Sequence, residues 1–258
     1  MAISRQQILA AMRAALEPVD HVNAMWLGGS AAFGVDDELS DIDVQLDVAD
    51  GRHTDAFAIT EAALETLSPI AHRWHVPEPA WHGHSQRIYR LRDCPEHLLV
   101  DLAIMQRGSD APRFNEREIH GEPVVVFDKL GIISAVPVDR AAHRQAMKAH
   151  LERERAKLAL VRHFPGKEIA RGNEVDALWR YQRMILLSLI TVLRSRYAPF
   201  FYDFAPRYLK RDLPPHVYAR LMRLSFVADL ADLEAKVAEA IAWATEEYES
   251  LDIDTLDF

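Results

Sequence analysis

At 258 residues and 49% hydrophobic content, the chain is long enough for one large domain or two ordinary ones with packed cores. A formal net charge of −9 and the absence of any Lys/Arg run longer than two residues argue against an extended nucleic-acid footprint, which needs a concentrated basic surface. A single cysteine, Cys94, excludes an intramolecular disulfide and a cysteine-rich zinc site, as expected of a reducing, cytoplasmic compartment.

In chain order, Met1 leads into an amphipathic helix with Ile8, Met12 and Leu16 on one side, not into a signal peptide. Residues 24–27 read as a short buried strand ending at Gly28-Gly29-Ser30, and 30–33 as a short helix. Two glycines allow the backbone to approach a phosphate with no Cβ in the way, and Ser30 adds a hydroxyl and an amide. This is a candidate anion cradle. From Asp41 to Val48, polar residues (Asp41, Asp43, Gln45, Asp47) alternate with apolar ones, the period-two pattern of a strand with one buried face. Asp41 and Asp43 therefore project from one face, their Cα atoms roughly 6.6 Å apart. Hard oxygen ligands at that spacing suit Mg²⁺, which takes one or two carboxylates and completes its shell with phosphates and water. The acids Asp36, Asp37 and Glu38 in the intervening loop read as solvated.

A helix is expected over 54–67, a strand over 70–76, a Pro- and His-rich loop over 77–85, and a hairpin from 86–91 and 97–105. Asp101 stands alone in the apolar second strand of that hairpin, where a carboxylate is normally paired, protonated or metal-bound. It is the natural third acid. His72, His75, His82 and His84 cluster in this stretch but lack a helical i, i+4 pair and a cysteine partner, so a satisfied or solvated role is favoured over zinc. A further strand is expected at 124–127, and Pro137 opens the second half.

There the pattern turns helical. Met147, Leu151, Leu158 and Val161 mark one helix; 178–193 is apolar nearly all round, as in the central helix of a bundle. Val217, Leu221, Leu224 and Ala228 mark another, and Leu230 to Tyr248 the last. The longest apolar stretch, 184–193, is too short to span a bilayer, and the tail 252–258 shows no period, as a fraying end would. The expected class is α+β: a mixed sheet flanked by helices over 1–135, then an α-helical bundle over 136–258.

Gly28, Gly29, Ser30, a gap of ten residues, Ser40-Asp41-Ile42-Asp43 on the next strand and Asp101 on a later one together resemble the nucleotidyltransferase superfamily typified by DNA polymerase beta and by the kanamycin and streptomycin adenylyltransferases. The pattern covers about residues 20–105. In the second half, Gly172-Asn173-Glu174-Val175-Asp176-Ala177-Leu178 and Tyr208-Leu209-Lys210-Arg211-Asp212-Leu213-Pro214 resemble stretches of the antibiotic adenylyltransferases, the latter with Tyr208 in place of a Trp. The resemblance implies a catalytic domain and a helical acceptor-binding domain, transfer of a nucleoside monophosphate, AMP from ATP being favoured, to a hydroxyl of a small polar acceptor, and release of pyrophosphate. It implies two Mg²⁺ ions on Asp41, Asp43 and Asp101, with Asp101 either a ligand or the base, and a triphosphate held by Gly28, Gly29, Ser30 and Ser40. Arg87, Arg90, Arg207 and Lys210 are candidate triphosphate cations, and Glu174 and Asp176 candidate acceptor contacts, although at a helix start they also suit the helix dipole. A protein-modifying, antitoxin-like enzyme and a catalytically silent nucleotide-binding module are the alternatives. Relatives of the first kind are much shorter, and modules of the second kind tend to lose a carboxylate, whereas all are present here.

Overall fold

The computed structural model describes residues 3–78 and 80–258; Met1, Ala2 and Pro79 lie outside the described residues, and with them the expected start at Met1 and part of the 77–85 loop. The chain divides into two units, Met1–Val138 and Asp139–Phe258.

The first unit is built on a six-stranded mixed sheet of order β3-β4-β5-β2-β1-β6, with β1 Val22–Leu27, β2 Ile42–Val48, β3 Ile70–His75, β4 Ser85–Leu91, β5 Val100–Gln106 and β6 Val124–Asp128. Only β2 and β5 pair in parallel; the other neighbours are antiparallel. Helices α1 (Arg5–Leu16) and α3 (His53–Glu65) cover one face, α2 is the short Gly29–Ala32 turn, and α4 is Arg117–His120. The start of α1 is fixed by a capping box: Ser4 accepts from the Gln7 amide and the Gln7 side chain accepts from the Ser4 amide. Its Ile8, Met12 and Leu16 meet Phe57 and Leu64 of α3 over Ile42, Val44, Leu46, Val100, Leu102 and Ile104, the apolar half of the alternation in β2 and β5. The opposite face carries a smaller cluster of Ala24, Trp26 and Met105 beneath Phe114, Ile132 and Ile133. The strand expected over 97–105 begins only at Val100, because Leu98 N–H turns back to Pro95 O.

The second unit is helical: α5 Arg140–Val161, α6 Phe164–Ala170, α7 Glu174–Arg180, α8 Leu187–Tyr197, α9 Leu209–Asp212, α10 Pro215–Ser225 and α11 Leu230–Ser250. The single helix expected over 178–193 is α7 and α8 joined through a π-helical stretch, Tyr181–Leu186. Its Tyr181 is fully buried and donates to Leu224 O of α10 at 2.8 Å. Arg194 of α8 is buried completely; it donates to Ala205 O at 2.7 Å and to Asp212 at 2.8 Å, tying the 198–212 connection to the core. The tail is docked, in contrast to the fraying expected of it. Arg144 donates to Ile253 O and to Leu256 O and lies over the Phe258 ring, and Lys148 pairs with Asp254 at 2.6 Å. Among the described residues no helix is long and apolar enough to cross a membrane.

Candidate active site

The two central parallel strands bring acids together. Asp43 of β2 and Asp101 of β5 are register partners, as are Gln45 and Ala103. Register partners on neighbouring strands point to the same face at a spacing of about 4.8 Å, so the two carboxylates stand side by side on the face away from α1 and α3. Asp41, exposed just before β2, projects from that same face by alternation. Burial pushes the Asp101 carboxyl above its ordinary value; a hydrogen bond from Gln86 opposes this, the charge of Asp41 adds to it, and His82 works against it.

The glycine turn closes onto this pair. Gly28 N–H donates to Asp43 O at 3.0 Å, so the end of β1 is stitched to the start of β2. Gly29 has φ +55°, and a Cβ built there would sit 1.9 Å from Asp43 Oδ2. The sequence gives these glycines as room for a phosphate; in the fold, the space at Gly29 is taken by the Asp43 carboxylate itself. Gly28 is also close-packed, with Gln45 Nε2 2.4 Å from a Cβ position. The far end of α2 is held by Glu122 N–H to Ala32 O at 2.9 Å, and Gly121 permits that approach, since its Cβ would fall 2.5 Å from the same oxygen.

The loop between turn and strand is accounted for by structural contacts. Ser40 and Asp37 cap each other, the Asp37 amide donating to Ser40 Oγ at 2.9 Å and Ser40 Oγ donating to Asp37 Oδ1 at 3.1 Å. Asp36 lies 3.7 Å from Arg5, and His97 donates to Glu38 O at 2.9 Å. The hydroxyl of Ser40 is thus engaged in the turn before Asp41.

Other sequence-derived candidates are placed elsewhere. Arg87 faces α3, on the sheet face opposite Asp101; it pairs with Glu61 at 2.8 Å and its guanidinium lies 4.2 Å from the Phe57 ring centre. Its neighbour in β5 is Leu102, a core residue, so strand alternation sends it away from the acids. Arg90 pairs with Glu96 at 3.2 Å. Asp47 continues the polar side of β2 but is completely buried, held by Asn23 at 2.7 Å and by Arg113. Lys210, Arg207, Glu174 and Asp176 belong to the second unit: Lys210 is exposed on α9, Arg207 stacks on Phe204, and both acids are exposed in the first turn of α7, where they favour the helix dipole.

Gln86 was not legible as a site residue. Gln86 Nε2 donates to Asp101 Oδ1 at 2.6 Å, and Gln86 Oε1 lies 3.0 Å from His82 Nε2. His82 and His84 stack on each other with Phe114 edge-on to both, and His84 Nε2 meets Pro112 O at 2.6 Å. Among the described residues, no group of three or more His, Cys, Asp or Glu is close enough to hold a metal by itself. The predicted triad of Asp41, Asp43 and Asp101 is therefore brought to one end of the sheet without forming an all-protein cage. That donor set still fits Mg²⁺, which is rarely caged by protein alone and is bound through one or two carboxylates together with substrate phosphates.

No family model and no curated protein matches the chain. Among solved structures, it is similar to an aminoglycoside 6-adenyltransferase from Bacillus subtilis at 12% identity and a TM-score of 0.34, over 97% of this chain and 94% of that one. It is also similar to a spectinomycin adenyltransferase from Enterococcus faecialis, crystallised with ATP and spectinomycin, at 9% identity and a TM-score of 0.40, over 96% of this chain and all of the other.

Proposed function

We propose that the chain is a nucleotidyltransferase that moves a nucleoside monophosphate, AMP from ATP, to a hydroxyl of a small polar acceptor such as an aminoglycoside-like compound. The observation that supports this most is the in-register pair Asp43 and Asp101 with the Gly28-Gly29-Ser30 turn packed directly on Asp43. Charge and backbone amides then converge where a triphosphate would enter, next to a half-buried carboxylate able to accept a proton.

In this reading the acceptor oxygen attacks the α-phosphorus, a new P–O bond forms, the bond to the β-phosphate bridging oxygen breaks, and pyrophosphate leaves. The hydroxyl proton passes to Asp101 or to solvent. Gly29 and Ser30 would hold the β- and γ-phosphates through their backbone amides and the Ser30 hydroxyl, aligning the leaving group, whereas the Gly28 amide is spent on Asp43 O. Asp41 and Asp43 would hold the Mg²⁺ that accompanies the nucleotide, with Asp43 and Asp101 sharing a second ion; such ions neutralise the charge on the attacking and leaving oxygens. Positioning and charge neutralisation supply most of the rate in phosphoryl-type transfer, so the rigidity of β2 and β5 is itself functional. The second unit would bind the acceptor, with Glu174 and Asp176 meeting its amino groups. The cytoplasm is the proposed location, where ATP and Mg²⁺ are both present.

Pyrophosphate release from ATP, GTP, CTP and UTP, each with Mg²⁺ and a panel of aminoglycosides, aminocyclitols and other polyols, tests the proposal. Acceptor-dependent release in the wild type, abolished in Asp41→Asn and in Asp43→Asn, is expected. Turnover near wild type in either variant would remove the metal assignment.

A further inference from the structure

Gln86 has its polarity set from both sides. His82 Nδ1 accepts the His84 backbone N–H at 3.1 Å, so in the neutral ring the proton sits on Nε2. Nε2–H then donates to Gln86 Oε1 at 3.0 Å, which orients the amide with Nε2 toward Asp101, where it donates to Oδ1 at 2.6 Å. A directed chain thus runs from a backbone amide through an imidazole and a carboxamide to the carboxylate. It has no freedom to reverse, since a flipped Gln86 would set oxygen against Asp101 and nitrogen against the Nε2–H. The rings are fixed as well: His82 and His84 are 7% and 3% exposed and share the edge of Phe114.

We propose that Gln86, locked by His82, is a positioning residue for Asp101: it occupies Oδ1 and turns Oδ2 toward Asp43 and the nucleotide. The inference rests on the nucleotidyl-transfer reading and refines it, because a carboxylate so held offers one oxygen in one direction. Hydrogen-bonded partners of metal-ligating carboxylates have a known scale of effect, about 10- to 100-fold in metal affinity when they are removed. The Gln86 donor also favours the ionised form of a carboxyl that burial and Asp41 push the other way.

The test has two arms on the full chain. In the protein alone, ¹⁵N–¹H spectra of the Gln86 side-chain amide, assigned by its loss in Gln86→Leu, should show one proton, the one donated to Asp101, displaced from free-glutamine values and slow to exchange with solvent, the displacement and the protection being lost in His82→Leu and returning in His82→Gln, which keeps a donor. In the presence of α,β-methylene-ATP, Mn²⁺ affinity followed by electron paramagnetic resonance should fall about 10- to 100-fold in Gln86→Leu and in His82→Leu, with His82→Gln recovering most of it. A wild-type Gln86 amide with free-glutamine shifts and no protection from solvent exchange would overturn the proposal. So would Mn²⁺ affinity that ignores both leucine variants while the wild type binds analogue and metal; in that case the nucleotidyl-transfer reading stands and only the positioning role falls. A wild type that takes up neither analogue nor Mn²⁺ sinks the functional reading and the role assigned to Gln86 with it. The His82 variants leave β4 unaltered, so a Gln86→Leu chain that fails to fold does not block the decision.

Discussion

Gly29→Ala separates backbone strain from crowding at the candidate site. Gly29 has φ +55°, a conformation that costs an L-residue about 1–2 kcal/mol. The new Cβ would also stand 1.9 Å from Asp43 Oδ2 and 2.5 Å from Cγ, so the carboxylate must retreat by about 1.5 Å to reach ordinary contact. Turning the side chain off its present rotamer adds about 0.5–1.5 kcal/mol, giving a total loss of about 1.5–3.5 kcal/mol. In an Asp43→Ala background most of the second part disappears, since the nearest remaining atom, the Asp43 Cβ, is 3.1 Å away. A double-mutant cycle should therefore show a coupling of about 1 kcal/mol. Hydrogen exchange of the β1 and β2 amides gives the free energies for the first unit alone and needs no substrate. Additive losses, with coupling under about 0.5 kcal/mol, would refute the claim that Gly29 is there to admit the Asp43 carboxylate. If transfer is measured as well, a displacement of this size predicts a loss on the order of 10²-fold in turnover.

Arg194→Met removes one of the two guanidinium partners of the buried Asp212, Arg211 remaining at 2.6 Å, and frees two backbone carbonyls, and should cost about 1.5–3 kcal/mol, with the double variant Arg194→Met/Asp212→Leu recovering part of it. Urea unfolding followed at α8 and at residues 198–212 reads this, and a loss below about 1 kcal/mol would mean the pair does not anchor the connection. Because burial raises the Asp101 carboxyl above its ordinary value, the folded state holds that proton to higher pH than the unfolded chain does. The ionised acid therefore costs stability as pH rises from the ordinary carboxylate range through the raised value, and Asp101→Asn, which still accepts from Gln86, should gain on the wild type over that window and level off above it. Urea midpoints of the two proteins from pH 3 to 8 test this, and a difference that does not change with pH would contradict it.

What the sequence made legible follows from local periodicity. The spacing of Ile8, Met12 and Leu16 and the alternation from Ile42 to Val48 survive folding because each segment's own geometry dictates which residues share a face. The same alternation put Asp43 on one face with Asp41, and Asp101 stood out as a lone acid in an otherwise apolar strand. Asp47 was not readable in this way, because the same alternation that exposes Asp43 also predicts an exposed Asp47, and its burial depends on Arg113, 66 residues away. The docked tail shows no period since it is held by single contacts, two backbone carbonyls taken by Arg144, Asp254 on Lys148 and Phe258 under Arg144, rather than by a repeating apolar face.

Gln86 and Arg87 make the limit sharpest. They are adjacent in sequence, both polar, and lie on opposite faces of β4; the register Gln86 to Ala103 and Arg87 to Leu102 gives the glutamine to Asp101 and sends the arginine to Glu61 and Phe57. A cation is the obvious choice beside a triphosphate site, which is why Arg87 is the more inviting residue on chemistry alone. A slip of one residue in the hairpin would exchange the two, placing a guanidinium on the carboxylate that the proposed reaction needs ionised and available. The register is set by where β5 begins, and Leu98 turning back to Pro95 delays that start to Val100. The chemistry around Asp101 is therefore decided by the turn over residues 92–99, a stretch that carries none of the site's functional groups.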